Sequence, residues 1–451
     1  MKISNIEKNL QIAKTLNQTR LKRKNQICKV FTVKIQEDAL KPQQKEFLQM
    51  VFLEAKWLVN HILNWSQESE ENKIWEFKVD GLKKVQRKLR DGSFVEQELK
   101  FLKSQIKQEI CAGIVEDIKS LLKKKEKGQK VGKLKFRKEI TSIDLVQFGI
   151  TWKYYDITHV GIQGMSGKRG KKSKLKVNGL SQIPSNAEFA NAKLLKKPSG
   201  YYLAITTYLP KESKQTKQYK APIGIDMGCQ TSLTLSTGEK INVSIKESER
   251  LKRLQRKHAR QYLMNPKGSN NRKKTLHLIK IEYEKQTNKK NDLANKVIKD
   301  LLEHEIIFMQ NENLKGWKKK KRTKKGKKLN HLSFGRQIQS SILGRVKSKL
   351  KGHERVVVVN QFEPTSKTCL QCGFKNEDLK LSDRNFKCSQ CGFEMDRDIH
   401  AAQNMIKFGK KQLIGQGLSK LTPIEIEALH ENSLRNFNAT LVGEVGTQIK
   451  I

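Results

Sequence analysis

The chain changes its hydrophobic rhythm several times, and each change marks a segment. Residues 1–27 are polar and basic and read as a flexible or partly helical tail. Cys28-Lys-Val-Phe-Thr-Val-Lys-Ile35 alternates apolar and polar positions, which predicts a strand. Pro42 can open a helix, after which Leu48, Val51, Phe52, Ala55, Leu58, Val59 and Ile62 recur at helical spacing. Helical pattern continues to about Lys127, through Phe101, Ile106 and Ile110. From Val131 the period shortens to strands at 133–137, 149–155, 173–177 and 200–209, with a basic loop at 167–174. Strands on both sides of a helical stretch predict one β domain, residues 28–40 and 128–215, split by a helical insertion at 41–127.

The second half follows another order. Ala221-Pro-Ile-Gly-Ile-Asp226 is an apolar strand ending in a carboxylate, and Gly224 and Gly228 keep its surroundings open. A second strand and a Thr237-Gly238 turn follow. Two basic helices, 246–263 and 272–302, break at Asn265-Pro-Lys-Gly-Ser269, with Leu276, Ile279 and Tyr283 as an apolar stripe on the second. A strand beginning at Ile306 then delivers Glu312. Nine of the eleven residues 318–328 are Lys or Arg, the pattern of a solvated loop that can also grip phosphates. A helix at 334–350 leads to Val356-Val-Val-Val359, a buried-strand run. A late helix starts near Asp396 and carries Asp398, and residues 411–451 show too weak a period to assign.

Charge narrows the partner. Lys and Arg number 92 against 45 Asp and Glu, a net +47 over 451 residues. A folded body with that excess repels itself unless a polyanion neutralises it, and charge along the whole chain suits a long path of phosphates. An apolar run long enough to span a bilayer is absent, as is the apolar core of a secretory signal, so an intracellular, nucleoid-associated protein without a membrane is expected. Cys28, Cys111 and Cys229 are scattered, as buried thiols of a reducing compartment would be.

The other four cysteines form a pattern. Cys369-Leu-Gln-Cys372 and Cys388-Ser-Gln-Cys391, fifteen residues apart, have zinc-ribbon spacing, and Gly373 and Gly392 end the two knuckles. Four thiolates fill a tetrahedral site, so one structural zinc is expected in a ribbon at 365–395. Asp226, Glu312 and Asp398 stand at the ends of separate elements, Asp226 on a first strand and Glu312 on a fourth. The order strand with Asp, hairpin, helix, strand with Glu, helix, strand, helix with Asp is that of an RNase H-like fold. Carboxylate oxygens suit hard Mg²⁺ ions, and two such ions can activate water and stabilise the leaving oxygen of a phosphodiester.

Four stretches carry a resemblance: Gly224-Ile-Asp-Met-Gly228, Gln310-Asn-Glu-Asn-Leu314, Thr365-Ser-Lys-Thr-Cys-Leu-Gln-Cys-Gly373 and Cys388-Ser-Gln-Cys-Gly-Phe-Glu-Met-Asp-Arg-Asp-Ile-His-Ala-Ala402. Over roughly 221–408 the chain resembles the TnpB proteins, RNA-guided DNA endonucleases of insertion sequences, to which miniature type V CRISPR effectors are similar. The resemblance implies an α/β RuvC nuclease domain at 221–364 and 396–410 with an inserted zinc ribbon. A β wedge domain split by a helical recognition domain would precede it. It implies Asp226, Glu312 and Asp398 as catalytic ligands of two Mg²⁺ ions, with Asp396 a competitor for the third place. His400 stands where the family usually has Asn. The implied partners are a guide RNA and target double-stranded DNA, with a monomer or a dimer on one RNA. A guided DNA-binding repressor without cleavage and a non-catalytic zinc-ribbon protein are the alternatives of other classes.

Overall fold

The computed structural model describes residues 5–415 except 70, 90, 166–172, 212–217, 266–267, 319–333 and 381. The predicted basic loop near 167–174, the Lys/Arg run and most of the carboxy-terminal stretch lie largely outside the described residues. The chain forms two compact units, residues 1–215 and 216–451.

The first unit opens with helix α1 (Asn5–Lys24), strand β1 (Gln26–Ile35) and helix α2 (Pro42–Glu68). A hairpin, β2 (Lys84–Lys88) and β3 (Phe94–Glu98), precedes helix α3 (Ser104–Glu126). Six strands follow: β4 (Ser142–Leu145), β5 (Trp152–Asp156), β6 (His159–Ile162), β7 (Ser173–Asn178), β8 (Glu188–Lys197) and β9 (Gly200–Pro210). β1 joins these later strands in a seven-stranded antiparallel sheet of order β4-β8-β9-β1-β7-β6-β5. One sheet is therefore built from both sides of the helical insertion. Its buried residues, among them Val33, Ile143, Trp152 and Leu203, share a core with Phe47, Leu48, Val51 and Leu58 of α2.

Three expectations change here. Residues 133–137 form no strand, and the insertion is not wholly helical, because the β2–β3 hairpin interrupts it. The Asp91-Gly92 turn, with Gly92 at φ +92°, is a hairpin signal lying between two strands that bury little more than Val85. Cys28 is exposed and not a buried thiol, while Cys111 and Cys229 are half-buried. The insertion is tied down by Glu54, a buried carboxylate of α2 that accepts from the amides of Lys100, Phe101 and Leu102 at 2.9, 2.9 and 3.0 Å.

The second unit contains β10 (Ile223–Met227), β11 (Leu233–Leu235), β12 (Lys240–Ile241), α4 (Glu249–Met264) and α5 (Asn270–Leu301). β13 (Ile307–Gln310), the short helices α6 (Leu314–Lys318) and α7 (Gly335–Ser340), α8 (Leu343–Leu350) and β14 (Val356–Val359) come next. The helix predicted at 334–350 is thus two helices broken at Ser341-Ile342. β15 (Asn385–Lys387), β16 (Glu394–Asp396) and α9 (Arg397–Gly415) complete the described chain. Five strands form a sheet of order β12-β11-β10-β13-β14, with β10 antiparallel to β11 but parallel to β13, and β13 parallel to β14.

Both faces of this sheet are covered, which explains its continuous apolar strands. Ile307 and Met309 face a cluster with Ala294, Val297 and Leu301 of α5 and Leu343, Val346 and Leu350 of α8. Phe308, pointing the other way, packs with Val359 and Met405 of α9. Of the apolar stripe predicted on α5, Ile279 is buried, whereas Leu276 and Tyr283 are exposed. Helix α9 lies hard against the strands. A Cβ added at Gly224 would stand 1.9 Å from the Ala402 carbonyl oxygen, and one at Gly409 would stand 2.1 Å from the Phe308 ring. Among the described residues, no helix is long and apolar enough to cross a membrane.

Candidate metal centres

The ribbon cysteines come together as their spacing predicts. Each knuckle closes in the same way: Cys369 N–H donates to the Phe374 carbonyl at 2.8 Å and Gly373 N–H to the Cys369 carbonyl at 3.1 Å. In the second knuckle, Cys388 N–H reaches Phe393 and Gly392 N–H reaches Cys388 at 2.8 and 3.1 Å. Gly373 and Gly392 sit at φ +78° and +74°, where a side chain would be strained. The four sulfurs all lie within 4.8 Å of one another, with Cys369–Cys391 and Cys372–Cys388 both at 3.6 Å. Burial works against ionising Cys388, but the amides of Cys391 and Gln390, with the neighbouring thiols of Cys372 and Cys391, outweigh it and draw the thiol to about 7. Four soft donors on two rigid turns fit a structural zinc.

The carboxylates are assembled differently. Asp226 ends β10, paired across to Thr234 of β11, and Glu312 follows β13 on the neighbouring parallel strand. Asp398 lies in the first turn of α9. Burial, then the negative charges of Asp398 and Glu312, push Asp226 up to about 7, against a smaller opposing pull from Arg397. Burial also raises Glu312, opposed by Lys347. Lys347, on α8, donates from Nζ to the Glu312 backbone carbonyl, which holds that cation beside the cluster. Asp226 therefore senses the charge of both other acids. Their oxygens do not gather as tightly as the sulfurs, and among the described residues the close group of metal-type donors is the four cysteines. A partly buried carboxylate facing the negative charge of two others favours a nearby cation, and an all-oxygen donor set of this kind fits Mg²⁺.

Asp396 and Asp398, rivals in sequence, part company in the fold. Asp396 Oδ1 accepts from the Asp398 and Ile399 amides at 3.0 and 3.1 Å and so caps α9, while its Oδ2 takes Lys240 Nζ at 2.7 Å. Burial would raise its pKa, yet Lys240 and the helix amides outweigh that effect and hold it below the usual range. Asp396 is committed to seating the helix, and Asp398 is left to share the field of Asp226.

The ribbon and the acids meet through α9. His400 is fully buried and stacks on Phe386 of β15, with centroids 4.0 Å apart and planes 12° from parallel. Burial lowers its pKa to about 4, so the ring is neutral there. One turn on, Asn404 Nδ2 donates to the carbonyls of Thr365 and Thr368 at 2.8 and 2.7 Å, pinning the first knuckle's approach. The His at position 400 thus serves as an apolar plate against the ribbon. Across the sheet edge, buried Gln310 donates from Nε2 to the carbonyls of Asn360, Gln361 and Glu363 at 3.0, 3.1 and 2.9 Å. It locks the loop leaving β14 beside Glu312. Sequence reading gave no role to Gln310, Lys347, Lys240 or Asn404; Gln310 is the polar residue of the otherwise apolar β13, a signal that could have marked it, whereas Asn404 sits among other polar residues of α9.

Comparison with known proteins bears on the same part of the chain. Residues 341–405 match the family described as Cas12f1-like, TNB domain. A Streptomyces pristinaespiralis protein named "Putative RNA-guided DNA endonuclease" is 30% identical over 190 residues, 42% of this chain and 45% of that one. A TnpB-like protein of Aquifex aeolicus is 26% identical over 247 residues, 48% of this chain and 76% of its own length. The chain thus spans less than half the length of the Streptomyces relative. A solved Cas12f1–sgRNA–target DNA complex overlaps with a TM-score of 0.42 at 12% identity, covering 84% of this chain and 99% of that one. The family model matched over the ribbon and α9, with relatives named TnpB-like and RNA-guided DNA endonuclease, makes this part of the chain similar to TnpB proteins.

Proposed function

We propose that this chain is an RNA-guided DNA endonuclease, working through a RuvC-type site built on the RNase H-like sheet of residues 221–364 and 396–410. The observation that carries the reading is the convergence of Asp226, Glu312 and Asp398 at strand and helix ends, close enough that the charges of two of them add to burial in pushing the third up to about 7. In this reading the three carboxylates hold two Mg²⁺ ions, which when bound activate water and stabilise the departing oxygen of a phosphodiester. Asp226 would be the central ligand, since it is the most strongly disturbed of the three and senses the charge of both others. Glu312 and Asp398 would supply the remaining carboxylates. Lys347 restrains Glu312 through its backbone, Asp396 fixes the pitch of α9, and the zinc ribbon at 365–395 holds α9 from its other side.

The same reading assigns residues 28–40 and 128–215 to a wedge domain and 41–127 to a recognition domain. Guide RNA would lie against them, and sequence selection in target DNA would be left to base pairing. The net charge of +47 supports this, since scaffold, heteroduplex and displaced strand all need neutralising. An insertion-sequence origin belongs to this proposal too.

The test is to express Asp226→Ala protein from its native locus, sequence the RNA that co-purifies, and offer wild-type complex DNA complementary to the guide. A discrete RNA with wild-type cleavage that Asp226→Ala abolishes supports the proposal. A discrete RNA with no cleavage by wild type at any divalent-ion concentration would leave a guided binding protein. Heterogeneous, salt-labile RNA would remove guiding altogether.

A further inference from the structure

The first unit carries an aromatic cluster that neither metal centre uses. The Phe189 ring stacks on Phe148 and on Tyr154, with centroids 5.2 and 4.9 Å apart and planes within 22° and 24° of parallel. Buried Trp152 meets Phe148 and Phe189 edge-on and anchors the group. The stack does not close over itself, because Phe148 is 41% and Ile150 51% exposed. With Asn191 and Tyr208 they line a surface cavity of about 550 Å³.

This opening is held rigid. The buried Thr151 hydroxyl donates to the Gln147 carbonyl at 2.9 Å and accepts from the Gln147 amide at 3.2 Å, while Gly149 turns at φ +85°. Phe148 and Ile150 are presented on that turn, so little ordering remains to oppose a ligand. On the facing wall, the register of β8 against β9 shifts between Phe189 and Ala192. Such an irregularity re-aims a side chain, and here it falls at Asn191. The Asn191 side-chain amide has no hydrogen-bond partner among the described residues. Tyr208 closes the cavity, with the Arg23 guanidinium 3.6 Å from its ring centroid, and Arg23 belongs to the Lys22-Arg23-Lys24 end of α1.

We propose that this cavity receives one unpaired nucleobase of the bound RNA, stacked on Phe148 and read at its edge by Asn191. A flat aromatic face with an open side, an unspent amide and a basic rim match a base, its edge and its phosphate. RNA is the source because a folded RNA offers bases from loops and bulges, whereas duplex DNA keeps its bases stacked inside. The proposal rests on the reading that RNA is a partner of this protein, but it does not require cleavage.

Ultraviolet crosslinking of the wild-type complex with its co-purified RNA should join a peptide containing Phe148 to one nucleotide position. With that RNA transcribed in vitro, Phe148→Leu should bind roughly tenfold more weakly with an unchanged salt slope, as loss of one stacked base predicts. Phe148→Tyr should bind like wild type and serves as the folding control, and Asn191→Ala should relax the preference for the base at the crosslinked position. Wild-type affinity in Phe148→Leu, crosslinks scattered over many nucleotides, or a crosslink to DNA alone would each overturn the pocket while leaving guided cleavage standing. Failure of wild-type protein to hold any discrete RNA would overturn both.

Discussion

The two candidate metal centres of the second unit are assembled in opposite ways. The sulfurs are local and tight: two short knuckles, each closed by its own amides and glycine, bring four donors within 4.8 Å. The carboxylates are distant and loose: they come from positions 226, 312 and 398, and Asp226 feels the negative charge of the other two in a partly buried space. A structural site can be completed by its own turns, because its task is to hold a fold. The proposed hydrolytic site would have to keep charge unsatisfied and room for a substrate oxygen, so its acids would be held apart by the scaffold. Helix α9 belongs to both, with His400 against the ribbon and Asp398 toward the acids.

The largest effect separates the two acids at the start of α9. Asp398→Asn and Asp226→Ala should each reduce cleavage of guide-matched DNA by more than about a hundredfold with RNA binding unchanged. Asp396→Asn, which keeps a capping side chain, should retain most cleavage. Equal losses at 396 and 398, measured side by side, would mean that the fold has not separated their roles.

Breaking the tight centre should damage the loose one at second hand. Cys372→Ser should lose bound zinc and lower cleavage by about ten- to a hundredfold, the size expected when a supporting contact around a site fails. Zinc content by atomic emission and cleavage rate are read on the same sample; lost zinc with full activity would sever the ribbon from α9.

Gly224→Ala attacks the seat directly, since its Cβ would fall 1.9 Å from the Ala402 carbonyl oxygen. Overpacking of this kind should destabilise the unit by about 3 kcal/mol, seen as a lower midpoint in urea. An unchanged midpoint would show that α9 can lift from the sheet without penalty.

The smallest effect is a pH dependence of the loose centre alone. Asp226 is raised from 3.8 to about 7, so the folded protein binds a proton more tightly than the unfolded chain. Without magnesium, its contribution to stability is then full below pH 4 and is lost as pH rises toward 7. Thermal melting in magnesium-free buffer should show that fall in wild type, less of it in Asp226→Asn, and recovery when magnesium is added at the upper end. A melting curve that ignores both pH and magnesium would argue against a cation-seeking cluster.

Much of this was legible because it is written at short range. The knuckles, the strand ending at Asp226, the four valines of β14 and the helical period of α2 need only neighbouring residues to declare themselves. The β2–β3 hairpin went unread although Asp91-Gly92 marked its turn, because its strands bury too little to show a period. The break at Ser341-Ile342 was equally hidden, since an apolar pattern continues across it and tertiary packing decides where a helix stops.

By itself, then, the sequence determined the donor types, the order of the acid-bearing elements, and a β domain interrupted by an insertion. These depend on spacing along the chain, and spacing survives without coordinates. What only tertiary structure decided is which acid faces which. Asp396 and Asp398 are both acids at a helix start, and they differ because Lys240, from a strand more than a hundred and fifty residues away, claims the first. The aromatic cavity at Phe148 is likewise invisible in sequence, because its rings come from strands and turns that meet only once the sheet has closed.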